Sequence, residues 1–547
     1  MQEYSTKDNI EKLLEESSKE ITLSLKNKNF REINSTLNSF IEAYLNSGIK
    51  DDSLVIQLRQ FTFQLICREF QLAEQNVEIE MQRLSSEFLS QEFPTQDTSW
   101  FYASIYSTHI GAIDTALQEL IKAIELNPTN KSYYDDLIML AHYSPNLNLE
   151  NIKEFSELYY HNYVYPWLKL IKKNINPEPK QLKSSELIKI GFLSGDVKLH
   201  PIFFWLSTLL EEADKNKFDF IIYANNSKNT WGDSLSAKNY CIKYIAETKD
   251  EDLYKTIQED EIDILIDLSG HTALNRLEIF ALKAAPLQIS WLGQAGPMGI
   301  PEIDYIIADK YVIKEEEERF YTEKILRMPE ILAPYPAANY SNLKINRNLA
   351  KQDGQIVLAS FNHSFKINTT TIQAWAEILA KTTNTILLIK NSSATSEEYQ
   401  KKLMQTFSEY NVHSNRILFE GRTNKASYLD KFSEIDIALD SFPVGGGTTT
   451  HETLMMSVPL ISLFGNHFAQ RSSSAVLLVS GLKELVSYSI EEYINKVIDL
   501  ASRPEKIIEY KQTIREKYLS SAAADMKSFV RDFFISLEKL WKSRLEE

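Results

Sequence analysis

Two patterns of apolar spacing follow one another along the chain. Through the first 170 residues apolar positions recur every three to four residues, as in Ile10, Leu13, Leu14 and again in Phe61, Leu65, Phe70. That period predicts helices throughout. Only Gly48 and Gly111 interrupt the stretch, and the first proline is Pro94. One segment is more specific. "SWFYASIYSTHIGAIDTALQELIKAIELNPTN" (Ser99 to Asn130) predicts a helix, a turn at Gly111, a second helix carrying Ala116 and Ala123, and an Asn-Pro stop. This is the layout of one tetratricopeptide unit of about 34 residues. It is the one convincing copy, and an ordinary helical hairpin is the other reading. The predicted all-helical N-terminal domain spans 1–175.

The polar run "NINPEPKQLKSSE" (Asn174 to Glu186), with Pro177 and Pro179, predicts a linker. Beyond it, short apolar runs alternate with longer helical stretches. The runs are 188–194, 218–224, 262–268, 287–293 and 303–309. After a second predicted linker at Ile331 to Asn342 the alternation restarts at 356–362, 385–391, 416–421, 435–441 and 459–465. Apolar runs of this length alternating with helices predict parallel, doubly wound sheets. The expected fold is therefore α/β, with two Rossmann-like halves, 186–335 and 350–530, behind an all-helical N-terminal domain. An amphipathic helix at 526–547 closes the chain. Ligands of such sheets sit at the carboxyl ends of the strands.

Composition narrows the function. A net charge of −16 supplies no large basic footprint, so nucleic acid is not an expected partner. Two cysteines, Cys67 and Cys241, exclude a disulfide framework and any multi-cysteine metal site, and fit a reducing compartment. The N-terminus is polar and acidic rather than signal-like. No apolar run approaches the roughly 18 residues of a membrane span. A cytoplasmic protein is expected.

Four clusters with chemistry stand at predicted strand ends: "GFLSGDVKLHP" with His200; "DLSGHTALNR" with Asp267, His271, Thr272 and Arg276; "ASFNHSFKIN" with Asn362, His363 and Lys366; and "LDSFPVGGGTTTHETL" from Leu439. In the last, Gly445, Gly446 and Gly447 link a predicted strand to a predicted helix. Glycines let backbone N–H groups approach an anion, and a helix N-terminus favours one. A tight turn with a threonine N-cap is the alternative. Neither GxGxxG nor GxxxxGK[ST] is present, nor the G-x-S-x-G elbow of α/β hydrolases, nor HExxH.

Taken in order, "IGFLSGDVKLHPI", "IDLSGHTALNRLEIFALKAAPLQISWLGQAGPMGIPEIDYIIAD", "SFNHSFKINTTTIQAWAEIL" and "LDSFPVGGGTTTHETLMMSVPLISLFGNHFAQRSSSAVL" resemble the catalytic region of the O-linked N-acetylglucosamine transferase family, over about residues 186–540. The resemblance implies a GT-B fold and inverting transfer of a sugar from a UDP donor to a protein side chain. The acceptor is usually Ser or Thr; a branch similar to bacterial adhesin glycosyltransferases modifies Asn. UDP-sugar is then a co-substrate, no cofactor or metal is expected, and the helical front end holds a protein acceptor.

By motif, His200 matches the active-site histidine and Lys366 the lysine that stabilises leaving UDP. Thr448 and Thr449 match the phosphate-binding pair, flanked by Gly446, Gly447 and Thr450. Glu452 falls at the ribose-binding acid, and Lys425 and Tyr428 at the uracil positions. His363 stands where relatives have glutamine. Gly447 replaces a phosphate-contacting histidine, with His451 as its stand-in. His271, Thr272, Gln294, Gly296, Pro297 and Val444 are assigned to the sugar and acceptor pocket. Asparagine-directed glucosyl transfer and a non-catalytic helical scaffold are the rival readings, with a UDP-sugar hydrolase or epimerase as a third. The sugar, the acceptor, the general base and the oligomeric state are left open.

Overall fold

The computed structural model describes residues 7–49, 52–173, 187–336 and 354–546. The expected linker at 174–186 lies outside them, as do residues 337–342 of the second. The chain divides into two compact units, one of Met1–Asn127 with Ser392–Lys402 and one of Pro128–Asn391 with Leu403–Glu547.

In the first unit, helices α1 (Lys7–Lys26), α2 (Phe30–Ser47), α3 (Ser53–Gln75), α4 (Ile79–Glu92), α5 (Asp97–His109) and α6 (Ile113–Leu126) form three hairpins. The three turns are the same device. Lys28, Val77 and Gly111 each take a left-handed backbone, with φ of 55°, 58° and 72°. In each turn that residue's N–H bonds to the carbonyl three back, and the next N–H to the carbonyl five before it: Lys28 to Leu25 and Asn29 to Ser24, Val77 to Glu74 and Glu78 to Ala73, Gly111 to Thr108 and Ala112 to Ser107. This double closure satisfies orphan carbonyls at a helix end. Glycine suits the left-handed position and marks only one of the three turns, so the sequence pattern announces one hairpin where the fold has three. The stripes of α1 to α5 converge in one core. Ile33, Leu37, Leu58, Ile66, Phe70 and Leu89 are fully buried, and Phe70 stacks on Tyr102 with ring centroids 4.4 Å apart. In the hairpin at 99–130, Ala116 and Ala123 are the small residues buried where α5 and α6 meet.

The second unit opens with α7 (Lys131–Ala141) and α8 (Leu149–Tyr159), which runs through a π-helical stretch (Tyr160–Val164) into α9 (Tyr165–Ile171). Then come two parallel sheets. The first has β1 (Ile188–Ser194), β2 (Phe218–Ala224), β3 (Cys241–Tyr244), β4 (Ile264–Asp267), β5 (Leu287–Ser290), β6 (Tyr305–Ala308) and β7 (Lys324–Arg327), in the order 3-2-1-4-5-6-7. The second has β8 (Ile356–Ser360), β9 (Thr385–Lys390), β10 (Ile417–Glu420), β11 (Ile437–Leu439), β12 (Leu460–Leu463) and β13 (Val486–Ser487), in the order 10-9-8-11-12-13. Both orders are Rossmann-like and reverse beside their first strand, at β1/β4 and at β8/β11. Central strands are covered on both faces and so read as continuous apolar runs. All ten expected strands form. β3, β7 and β13 are additional and all lie at sheet edges. "CIKY" and "KILR" are partly exposed and carry lysines, and β13 has two residues, so none shows an apolar run.

Two features tie the halves of this unit together. The closing helix Met526–Glu546 follows the second sheet yet packs on the first, with Phe534 4.7 Å from Phe218 and Phe533 5.0 Å from Trp291 between ring centroids. Arg471, from the second half, is buried in a bidentate pair with Glu317 of the first, both bonds 2.6 Å.

Candidate functional site

The loops after β1, β4, β8 and β11 all reach one cavity of about 690 Å³. It therefore lies at the carboxyl ends of both sheets, at both reversals of strand order. Its volume suits a small-molecule site.

Lys366 ends a short 3-10 turn, Ser364–Lys366, just after β8. Its Nζ donates to the Gly445 carbonyl at 2.6 Å. Burial pushes its ammonium down to about 8, against the pull of the Asp440 carboxylate, which favours the charged form. A cation fixed at a cavity wall stabilises negative charge that develops beside it.

The glycine loop follows β11. Its helix is Thr448–Met455, and the capping residue is Gly447, with no side chain bonded to the helix end. The alternative of a threonine N-cap is thereby corrected: all three threonines lie inside the helix, and its first amides are left without a cap. Such amides, with the helix dipole, favour an anion. Thr448 and Thr449 line the cavity. Thr450 does not; its hydroxyl meets Ser473 Oγ at 2.7 Å. The three glycines differ. A Cβ at Gly445 would come within 2.3 Å of Asp440 Oδ2, and one at Gly446 within 2.7 Å of Thr450 Oγ1, whereas Gly447 faces open space.

His200 caps α10 (Pro201–Glu212), its Nδ1 3.4 Å from the Ile202 amide and 3.5 Å from Asp196 Oδ2. Burial lowers its pKa, opposed by Asp196. It lines the cavity with Thr272, Gln294, His363 and Val444. Gln294 is oriented from behind, accepting from the His271 amide at 2.8 Å.

The remaining candidates, His451 apart, stand off the cavity wall. His271 is buried between the Asp135 carboxylate (2.7 Å) and the Met298 carbonyl (2.9 Å). Both ring nitrogens are thus held by neighbours, which makes His271 a brace for the pocket loops. Gly296 packs on the His142 ring, where a Cβ would come within 2.3 Å, and Pro297 follows it, its carbonyl 3.5 Å from Gln294 Nε2. Glu452 is 3% exposed and already engaged: Lys425 Nζ is in short contact with its Oε1, Tyr335 OH donates to the same oxygen at 3.1 Å, and Tyr428 also bonds it. Lys425 lies 5.0 Å over the Tyr428 ring. His451 lines the cavity, but its Nδ1 pairs with Tyr518 OH at 3.0 Å, and burial pushes it down to about 3.

Sequence reasoning missed three contributors. Asp440 organises the glycine loop; an acid straight after a buried strand and before three glycines was its signal. His142 and Tyr143 line the cavity from the end of α7. They lie in a stretch whose pattern reads only as helix, and nothing local marks them.

The model of the family described as "Glycosyl transferase family 41" matches residues 163–333 and 342–533. Among curated proteins, the chain is 29% identical over 358 residues to the barley (Hordeum vulgare) "Probable UDP-N-acetylglucosamine--peptide N-acetylglucosaminyltransferase SPINDLY", covering 64% of this chain and 38% of that one. It is 25% identical over 364 residues to the protein of the same description named SEC in Arabidopsis thaliana, covering 65% and 37%. The chain thus spans about two-fifths of the length of these relatives. Among solved structures, a mutant O-GlcNAc transferase of Thermobaculum terrenum superposes with a TM-score of 0.78 at 22% identity, over 98% of this chain and 99% of that one. That likeness establishes the shared fold: a GT-B arrangement of two Rossmann-like halves with a helical N-terminal region.

Proposed function

The chain belongs to glycosyl transferase family 41, and on that premise we propose that it moves a sugar from a UDP donor to a Ser or Thr hydroxyl of a protein, with inversion and without a metal. One observation carries this reading. One cavity at the carboxyl strand ends of two Rossmann sheets is lined by both a half-buried lysine and an uncapped helix N-terminus. Those two groups are what a diphosphate leaving group needs when no metal neutralises it.

In this mechanism the acceptor oxygen attacks the anomeric carbon in line, and the bond to the UDP oxygen breaks. Lys366 and the amides at Thr448 and Thr449 take up the charge that develops on the diphosphate. His200, neutral near pH 7 through burial, lines the acceptor side of the cavity and is the protein's candidate to receive the acceptor proton; a phosphate oxygen of the donor is the other. Glu452 grips the ribose by exchanging its Tyr335 and Lys425 contacts for sugar hydroxyls. N-acetylglucosamine is the donor sugar suggested by what the SPINDLY and SEC relatives are named for.

The test is a thermal-shift and calorimetry screen with UDP, GDP, UDP-glucose and UDP-N-acetylglucosamine in EDTA. Selective stabilisation by UDP and one UDP-sugar is expected. No response to any of the four would leave the fold without this activity.

A further inference from the structure

Asp440 follows β11 directly and is 1% exposed. Its Oδ1 accepts from Asn362 Nδ2 at 3.1 Å and from the Gly446 amide at 2.8 Å; its Oδ2 accepts from Ser462 Oγ at 2.7 Å. All three donors are neutral, so these bonds fix the carboxylate in place without cancelling its charge. Lys366 sits on the other side of one residue. Its Nζ donates to the Gly445 carbonyl, while Gly445 packs so tightly on Asp440 Oδ2 that a Cβ there would come within 2.3 Å. The carboxylate thus holds the loop whose carbonyl the ammonium binds, and it also acts on that ammonium through space.

We propose that Asp440 is a positioning residue of the transfer site: it fixes the glycine loop through Gly446 and keeps the Lys366 ammonium charged inside the cavity. The proposal rests on the reading of Lys366 as the cation that meets the donor diphosphate. Desolvation works against that cation, and a fixed counter-charge nearby restores it. Asp440 is the charged group that acts on Lys366. Of the cavity's other acids, Asp196 pairs with Lys198 at 3.0 Å, and Asp309, which accepts the amides of Tyr311, Val312 and Leu332, is pushed towards its neutral form by burial. Burial keeps His142 and His451 uncharged and holds Tyr143 protonated. His200 and His363 complete the set.

The experiment is UDP affinity against pH, by calorimetry on the full chain, for the wild type, Asp440→Asn, Lys366→Ala, and Lys366→Arg with and without Asp440→Asn. Lys366 is charged below its pKa and neutral above it, so wild-type affinity falls as pH rises through about 8. Asparagine keeps the shape and the Gly446 bond but removes the charge. In Asp440→Asn the fall begins on the order of one pH unit lower. Arginine stays charged throughout, so Asp440→Asn produces no pH shift in the Lys366→Arg background. Weakening by the same factor at every pH would reduce Asp440 to a structural role and overturn the proposal, as would a shift that persists with arginine. If Lys366→Ala keeps wild-type affinity and profile, the reading of Lys366 fails first. Should Asp440→Asn not fold, Ser462→Ala takes its place. It removes one of the bonds that fix the carboxylate, so the counter-charge loosens and the fall moves to lower pH, by less than the shift expected of Asp440→Asn; an unmoved profile there overturns the proposal too.

Discussion

Alanine at each of the three loop glycines tests the cradle most directly, because the structure assigns them different costs. At Gly445 the added methyl would sit 2.3 Å from Asp440 Oδ2 and 2.7 Å from Ser473 Oγ. Relief requires the carboxylate to retreat by about an ångström while bonded to Asn362, Gly446 and Ser462. Overpacking of this kind costs about 1–3 kcal/mol, and a lost bond to a charged group a further 1.5–3 kcal/mol or so. Gly445→Ala is therefore expected to destabilise the second unit by roughly 2.5–6 kcal/mol and to weaken UDP binding at least tenfold. At Gly446 the methyl meets Thr450 Oγ1 at 2.7 Å and the Thr450 amide at 3.2 Å. The hydroxyl is held by Ser473, so the helix N-terminus shifts instead. A stability cost of about 1–2 kcal/mol is expected, with a similar loss of affinity. Gly447→Ala meets nothing within 4 Å and serves as the control for stability. The assays are urea unfolding and UDP calorimetry on the three variants. Equal effects at all three positions, or a Gly445→Ala protein indistinguishable from wild type, would refute the account of the loop.

Three further outcomes follow from the same geometry. Thr449→Ala and Glu452→Ala should each weaken UDP binding by roughly 3–10-fold, and Glu452→Ala should also lower stability by about 1–3 kcal/mol, since Lys425 and Tyr335 lose their acceptor; if calorimetry finds UDP affinity unchanged in both, the phosphate and ribose assignments fall. Arg471→Met leaves Glu317 buried and unpaired and should cost about 3–5 kcal/mol in urea unfolding, a cost that an exposed pair would not show. A chain starting at Pro128 should fold cooperatively and bind UDP, though Ser392–Lys402 loses its first-unit neighbours; one starting at Leu187 should not, because α7 to α9 are missing from its core.

Much of the architecture was legible because both periods are physical. Ten apolar runs announced ten buried strands, and their alternation with helices announced parallel sheets. What escaped was whatever lacks a local signature. Edge strands β3, β7 and β13 bury too little to need an apolar run. Two of three hairpin turns place Lys28 and Val77 where glycine would have been the cue. Within the site, Lys366, His200, Thr448 and Thr449 were found because motifs place them at strand ends, and the structure brings all four to one cavity. Glu452 and His271 were also picked by motif, but their surroundings depend on residues 117 and 136 positions away, Tyr335 and Asp135. No window of sequence contains such pairs.

The helices after Asn127 explain why an expected boundary near 175 and the compact unit differ. α7 to α9 carry the helical period of the front end, yet their buried faces are spent on the first sheet's loops. Lys131 and Tyr163 both bond Glu278, at 2.7 and 2.9 Å, and Asp135 bonds His271 and Asn275. Ser156 fills the space beside Gly299, whose φ is +67°, and His142 that beside Gly296. Each contact holds a loop that carries or braces a cavity residue, including Gln294 through His271. The pairing of small loop glycines with bulky or polar helix residues leaves no room for a side chain at 296 or 299, so the helices set the depth of the pocket wall from behind. Periodicity identifies what a segment is, but burial decides which body it serves. Here a helical segment serves the sheet domain, because removing it would strip the Asp135 partner from a buried His271 and open the back of the cavity to water.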